Sequence, residues 1–315
     1  MGATFLMSYP SPGWTIRGGQ NFRSKARAAT NPRAAMHEWL TLCDAITRHG
    51  GRILVMPPPS DPATSLTGLP YTANTGALFR NGDQWTWRLP KMLVAHRQAE
   101  QPYIRAFWAE AGVPVEESAQ TWEGQADVTT LPGNRFILTW GVRSVRESLG
   151  AVRERLPMGA RVVEVQLREP WFHGDTALDP LTSRGGDTTL LAFGGALVDH
   201  TLPDLRTFAA NVEVLSVEEE DALGYACNSL CVDGTILMPS GLSTGLRGNL
   251  LRRGFNIEEL ELPELFGKGG GGPRCLVNEL RGFVLTATAP DYVSQRDMLV
   301  ALADRYPESA APAAT

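Results

Sequence analysis

Short apolar runs bounded by Gly, Pro, Asn or Asp recur along the chain more often than long helical stripes do, which predicts many brief strands and few helices. One clear helix begins at Asn31-Pro32, an N-cap followed by proline in the first turn. Met36, Trp39, Leu40, Cys43 and Ile46 form its apolar stripe, and Gly50-Gly51 ends it. His37 and His49 lie off that stripe and are expected on the solvated face. Residues 52–56 read as a strand stopped by Pro57-Pro58-Pro59, and Asn81-Gly82 turns one strand back into 85–89 as a hairpin. Residues 91–94 read as a further strand, and His96 opens a helix to about residue 111 with Ile104, Phe107 and Trp108 inward. Strands follow near 128, 135–139, 162–167, 190–193, 196–198 and 212–215, then a hairpin at Asp233-Gly234. Ser144 and Glu147 have capping-box spacing, and Gly254 closes a helix over 243–253. A last strand follows Cys275, and a helix covers about 294–306. Residues 8–30, interrupted by Pro10, Pro12, Gly13, Gly18 and Gly19, are loop-like. No linker divides these repeating modules, so residues 1–306 are expected to form one domain and 307–315 a disordered tail.

Composition narrows the function. With 43% hydrophobic and 20% charged residues, the chain of 315 residues has the balance of a globular protein with a sizeable core. A net charge of -5 with no dense Lys/Arg run argues against nucleic acid as a partner. The apolar start, residues 1–9, lacks a basic leader and the length of a membrane span, so a cytoplasmic location is expected, with no membrane partner. Cys43, Cys227, Cys231 and Cys275 are too few for a disulfide framework. Cys227 and Cys231 have no second Cys/His pair at structural-zinc spacing, and neither a metal nor an organic cofactor is expected.

Chemistry concentrates at a few polar islands. Four glycines, Gly269 to Gly272, precede Pro273-Arg274-Cys275 and allow close approach of backbone to a ligand; the same pattern also suits a loose loop ending at a core cysteine. A reactive Cys275 needs a nearby base or cation. Among the histidines His173 is best placed, with Asp175 two residues on, and Glu123 or Asp127 could orient its ring.

These islands resemble the guanidino-group-modifying enzymes of the pentein superfamily: arginine deiminases, dimethylarginine dimethylaminohydrolases, amidinotransferases and arginine dihydrolases. The resemblance spans roughly residues 21–279 and rests on Tyr71-Thr72-Ala73-Asn74, Arg97-Gln98-Ala99-Glu100, Glu123-Gly124-Gln125-Ala126-Asp127, Gly141-Val142-Arg143-Ser144, His173-Gly174-Asp175-Thr176, Cys227-Asn228 and Gly271-Gly272-Pro273-Arg274-Cys275. It implies an α/β fold, a five-bladed pseudo-symmetric propeller. It also implies a small-molecule guanidino substrate attacked by Cys275, with His173 as acid and base through a covalent thiouronium. Glu123 would assist the histidine, Asp175 would grip the guanidinium, and Arg97 and Arg143 would bind the α-carboxylate. Asn21, Asn74 and Asp127 complete the implied substrate-binding set. Many deiminases carry an acid where Asn74 stands, and an amide also accommodates a ureido group, which favours the dihydrolase branch and an ornithine-type product. Gly174 and Pro273 depart from the usual pattern and could reshape the pocket.

Three alternatives stay open at this level. An amidinotransferase would share the Cys/His/acid centre. His173-Gly174-Asp175 is also part of a non-haem iron triad, for which His200 is the downstream histidine. A non-catalytic binding protein could keep an enzyme fold. The sequence is equally compatible with a monomer and a homo-oligomer.

Overall fold

The computed structural model describes residues 2–18, 21–24, 29–60, 66–284 and 291–309. Among them, fifteen strands form five three-stranded sheets, and each sheet repeats one plan: an antiparallel pair, closed as a hairpin in four of the five, whose central strand pairs in parallel with a third. The parallel step needs a long crossover, and helices supply it. Strand β1 (Thr4–Met7) is followed by helix α1 (Pro32–Arg48) and parallel strand β2 (Arg52–Val55). The second sheet contains β3 (Ala77–Asn81) and β4 (Gln84–Arg88), crosses over through α2 (Ala95–Gln98) and α3 (Glu100–Glu110), and ends in β5 (Val115–Glu116). The third has β6 (Val128–Leu131), β7 (Arg135–Trp140), α4 (Leu149–Arg153) and β8 (Arg161–Gln166). The fourth has β9 (Leu178–Thr182), β10 (Thr188–Ala192), α5 (Leu202–Ala209) and β11 (Glu213–Ser216), with α6 (Glu219–Leu223) leading onward. The fifth has β12 (Leu230–Val232), β13 (Thr235–Pro239), α7 (Thr244–Arg252) and β14 (Asn256–Leu260). Finally β15 (Asn278–Glu279) pairs antiparallel with β1, so a strand that follows the fifth blade completes the sheet that β1 began. The result is a five-bladed α/β propeller. Helix α8 (Tyr292–Ala303) then packs on α1.

Local signals decide most of these elements. The Asn31 side chain accepts from Ala34 N, and that of Ser243 accepts from Leu246 N, so both helices start at their caps. Asp233 and Gly234 take φ values of 45° and 73°, the left-handed pair that a two-residue hairpin requires. Aromatic packing seats the crossovers against the sheets: Trp87 of β4 stacks on Trp108 of α3 with centroids 4.3 Å apart.

Long-range contacts override other local signals. Residues 91–94 form no ladder beyond a bridge from Lys91 to Trp122, because the next amides are used elsewhere; Leu93 N–H donates to Glu123 Oε1. The helix over 96–111 breaks into α2 and α3, with Ile104 and Trp108 buried and Phe107 only half-buried. Of 196–198, only Leu197 bridges, to Leu167. The Ser144/Glu147 capping box does not form: the helical turn Arg146–Ser148 has no side-chain cap, and the Ser144 hydroxyl points to Asp127 instead. Exposed His37 fits its expectation, whereas His49 is half-buried against Glu258 at 2.7 Å. Of the expected tail, Pro307 accepts from Arg33 N and Glu308 pairs with the Arg33 guanidinium, while 310–315 lie outside the described residues. Among the described residues, no helix is long and apolar enough to cross a membrane.

Candidate active site

The first strand of four blades follows a 3-10 turn: Thr72–Asn74 before β3, Gly124–Asp127 before β6, Gly174–Thr176 before β9 and Ala226–Asn228 before β12. A turn over 273–276 precedes β15. Each turn carries or adjoins a polar residue: Asn74, Glu123, His173, Asn228 and Cys275, about fifty residues apart in sequence. Neighbouring turns pack directly on one another. Gly124, at φ 79°, makes that possible, since a Cβ there would stand 2.8 Å from the Ala73 carbonyl oxygen. The propeller repeat thus brings residues distant in sequence to one end of its axis.

Cys275 is buried, with 4% of its surface exposed. Its amide donates to Asn228 Oδ1 at 3.2 Å and its thiol faces Asp175 Oδ2 at 3.6 Å. Asn228 Nδ2 donates to the Asp175 carbonyl at 2.8 Å, so one amide side chain fixes both residues. Burial, with the Asp175 charge adding to it, pushes the Cys275 thiol well above its ordinary range. Burial also pushes the Asp175 carboxyl up to about 6, against the opposing pull of His173 and Arg274. Asp175 Oδ1 has no hydrogen-bond partner among the described residues. A buried acceptor of this kind is costly unless a ligand satisfies it. The glycine loop is a packed wall here: Gly270 to Gly272 are buried, and a Cβ on Gly271 would fall 2.4 Å from the Tyr71 ring.

His173 is held from both sides. Its Nε2 lies 2.9 Å from Glu123 Oε2 and its Nδ1 lies 3.3 Å from Asn74 Nδ2. Arg97 Nη1 donates to Asn74 Oδ1 at 2.9 Å, which turns the Asn74 NH₂ toward the histidine. The imidazole proton is therefore assigned to Nε2, donating to Glu123, and Nδ1 keeps a lone pair. Glu123 has no exposed surface; burial alone would raise its carboxyl, but the Arg143 guanidinium at 2.8 Å and the His173 bond outweigh burial and hold it below the usual carboxylate range. Asp127 stands behind this layer. It accepts from Thr139 Oγ1, Gly174 N and Ser144 Oγ, and Ser144 Oγ in turn accepts from Glu123 N at 3.0 Å.

A cavity of ≈ 100 Å³ opens onto this constellation, lined by Cys275, His173, Asn74, Asn21, Arg97, Arg143 and Phe172 among others. Asn21 reaches it from the N-terminal segment, with Nδ2 donating to the Gly270 carbonyl at 2.8 Å.

No family model matches the chain. It is 30% identical over 224 residues to ArgZ of Synechocystis, a bifunctional arginine dihydrolase/ornithine cyclodeaminase, covering 68% of this chain and 29% of that one. The chain spans about a third of the length of the curated bifunctional enzymes it matches. The N-terminal domain of ArgZ, solved with its product, superposes with a TM-score of 0.76 at 25% identity, covering 88% of this chain and 97% of that domain. Other solved forms of that domain are a cysteine-to-serine variant bound to substrate and an asparagine-to-serine variant covalently bound to a reaction intermediate. A dimethylarginine dimethylaminohydrolase, 17% identical, shares the fold with a TM-score of 0.64, covering 89% of this chain and 100% of that one. The chain belongs to the pentein superfamily.

In this pentein, Cys275, His173, Asn74, Asn21, Arg97 and Arg143 line one cavity, while Glu123 and Asp175 stand directly behind it, hydrogen-bonded to His173 and facing the Cys275 thiol respectively. Asp127 does not line it, since both its oxygens are engaged within the protein. Arg97 and Arg143 are present but already paired, with Glu100 and Glu123 respectively. His200 pairs with Asp199 at 3.0 Å outside this cavity, so it does not complete a triad with His173 and Asp175. Sequence reasoning missed two supporting roles. Asn228 looked like a motif neighbour and Ser144 like a helix cap; only the roughly fifty-residue recurrence of polar residues before strands could have signalled the first. Ser144→Ala removes the link between Asp127 and the Glu123 backbone. It is expected to cost about 1.5–3 kcal/mol of stability in urea titration, as for a hydrogen bond to a charged group.

Proposed function

We propose that this protein hydrolyses the guanidino group of arginine, or of a close derivative, in two rounds to give an ornithine-type amine. The observation that carries this is the buried Cys275 thiol facing Asp175 Oδ2, with Asp175 Oδ1 left without a partner among the described residues and His173 held by Glu123 and Asn74. A planar guanidinium entering there gives Asp175 the donors it lacks through paired charge-assisted hydrogen bonds. Its charge also favours the thiolate that burial disfavours. The thiol proton passes to His173 Nδ1, which exchanges its 3.3 Å contact with Asn74 Nδ2 for the proton. Sulfur attacks the central carbon, a C–S bond forms, and a C–N bond breaks as His173 hands its proton to the departing ammonia. The remaining thiouronium is attacked by water that loses a proton to His173; the C–S bond breaks and a ureido compound forms. Asn74 then matters, because an amide at this position carries no charge that would repel the ureido oxygen. A second attack releases another ammonia, and hydrolysis leaves a carbamate that loses carbon dioxide to give the amine. The dihydrolase similarity and the covalent intermediate of the ArgZ domain support this reading.

Acid-quenched reactions with L-arginine, digested and weighed by mass spectrometry, should place an adduct on the peptide containing Cys275. Turnover with no such adduct at any quench time would contradict the covalent route. Amidino transfer remains the rival chemistry, and product formation without an amine acceptor separates the two.

The pH profile follows from Asp175. Its folded-state pKa, about 6, is raised above the usual carboxyl value, so protonation weakens the guanidinium grip below that pH. kcat/KM is therefore expected to fall as pH drops through about 6, and Asp175→Asn should abolish that limb along with most activity. The same shift makes folding less favourable as pH rises from the unfolded carboxyl range to about 6. Asp175→Asn should thus be more stable than the parent at pH 7, which thermal melts would register.

A further inference from the structure

Resting on that reading, we infer that Glu38, which lies on α1 outside the cavity, is a positioning residue for the reaction: its carboxylate sets the glycine wall against which Cys275 and the substrate guanidinium are held. Glu38 is buried, and its two oxygens each accept one backbone amide, from Glu264 N and from Leu265 N, both at 2.8 Å. These amides open the π-helical turn Pro263–Lys268, whose first residue is a proline with no amide hydrogen to offer. Each residue that Glu38 holds by its amide holds the wall by its carbonyl. Glu264 O accepts from Gly269 N at 2.8 Å, and Leu265 O accepts from Gly271 N at 3.3 Å and from the Tyr71 hydroxyl at 3.0 Å. Gly269, Gly270 and Gly271 line the cavity together with Tyr71 and Cys275.

The wall has no slack to absorb a shift of that turn. A Cβ on Gly271 would overlap the Tyr71 ring and stand 3.1 Å from Cys275 Cβ, so the backbone there is already in contact with the nucleophile's residue. Gly270 is tied as well, since its carbonyl accepts from Asn21 Nδ2. The state of the Glu38 carboxyl therefore reaches the cavity. Burial pushes it up to about 7, against the pull of its two backbone bonds; of the charged groups facing it, Glu264 adds to the rise and Lys268 opposes it. Those two are paired with each other at 2.6 Å, and the Tyr71 hydroxyl also feels the Glu38 charge. A carboxylate accepts both amides. A carboxylic acid turns one of its oxygens into a donor and leaves one amide poorly matched.

Glu38→Gln tests this, because it keeps the shape but presents one acceptor oxygen and an NH₂ to the two amides. At about pH 8.5 it should lower kcat for L-arginine at least about tenfold with KM within a factor of about two, since the reacting atoms are displaced rather than the bound substrate. The gap should shrink severalfold as pH falls through about 7, where the parent's own carboxyl takes up a proton and loses an acceptor. An unchanged kcat at about pH 8.5 in folded Glu38→Gln overturns the inference. So does a deficit of the same size at every pH, which is what a merely structural residue would give. Hydrogen exchange across residues 263–272, corrected for the intrinsic pH dependence of exchange, reads the same link without turnover. Protection in the parent should fall between about pH 8 and about pH 6 and stay low at both in Glu38→Gln; unchanged protection in the parent overturns the inference. A parent protein that loses this protection with pH but releases no product from L-arginine would instead refute the proposed chemistry alone.

Discussion

Cys275→Ser is expected to lower turnover of L-arginine by about four orders of magnitude or more, with no loss of fold. The replacement keeps the size of the buried group, and Asn228 still receives the amide of residue 275. What it removes is the nucleophile, because a hydroxyl in this site ionises far less readily than a thiol and Asp175 opposes a second negative charge. The check is steady-state ammonia release beside a thermal melt and a circular dichroism spectrum. Retention of more than about one part in a hundred of the activity in a well-folded Cys275→Ser protein would contradict covalent catalysis at this residue.

Glu123→Gln is expected to damage activity and stability together. The Arg143 guanidinium would be left buried without its anion, a change that costs about 3–5 kcal/mol in comparable pairs. Its His173 bond would also lose the charge that supports an imidazolium during proton transfer. The dependence on pH has a definite sign. The Glu123 carboxyl is held below its unfolded range, so its contribution is fully present above about pH 4.3 and is lost as pH falls toward the folded-state value. Urea titrations should therefore show a large gap between parent and Glu123→Gln at pH 7 that narrows below about pH 4. A gap under about 1 kcal/mol at pH 7, or one that does not change with pH, would mean that Glu123 does not carry the buried charge pair.

What the sequence revealed divides along the range of the interactions involved. The Asn31 and Ser243 caps and the Asp233-Gly234 hairpin were legible because each is set by residues a few positions apart. Strand β1 was not anticipated; its partners β2 and β15 lie beyond a helix and more than 270 residues later in the sequence, at Asn278–Glu279. Residues 91–94 looked like a strand on pattern alone, yet their backbone serves Trp122 and Glu123. Ser144 shows the same conflict: its spacing to Glu147 suits a cap, but buried Asp127 is the stronger acceptor for its hydroxyl. At the site, the family resemblance picked out the residues that converge, while their pairing was invisible. The sequence puts Arg97 three residues before Glu100 without saying that the pair is buried and closed, and Arg143 meets Glu123 only because the β6–β7 hairpin between them folds back.

The most direct test of the central claim is a product count. Purified protein incubated with L-arginine and no amine acceptor should yield ornithine with two equivalents of ammonia for each arginine consumed, both measured by chromatography over a full time course. Accumulation of citrulline with a single equivalent of ammonia, or no consumption of arginine at all, would contradict the dihydrolase assignment.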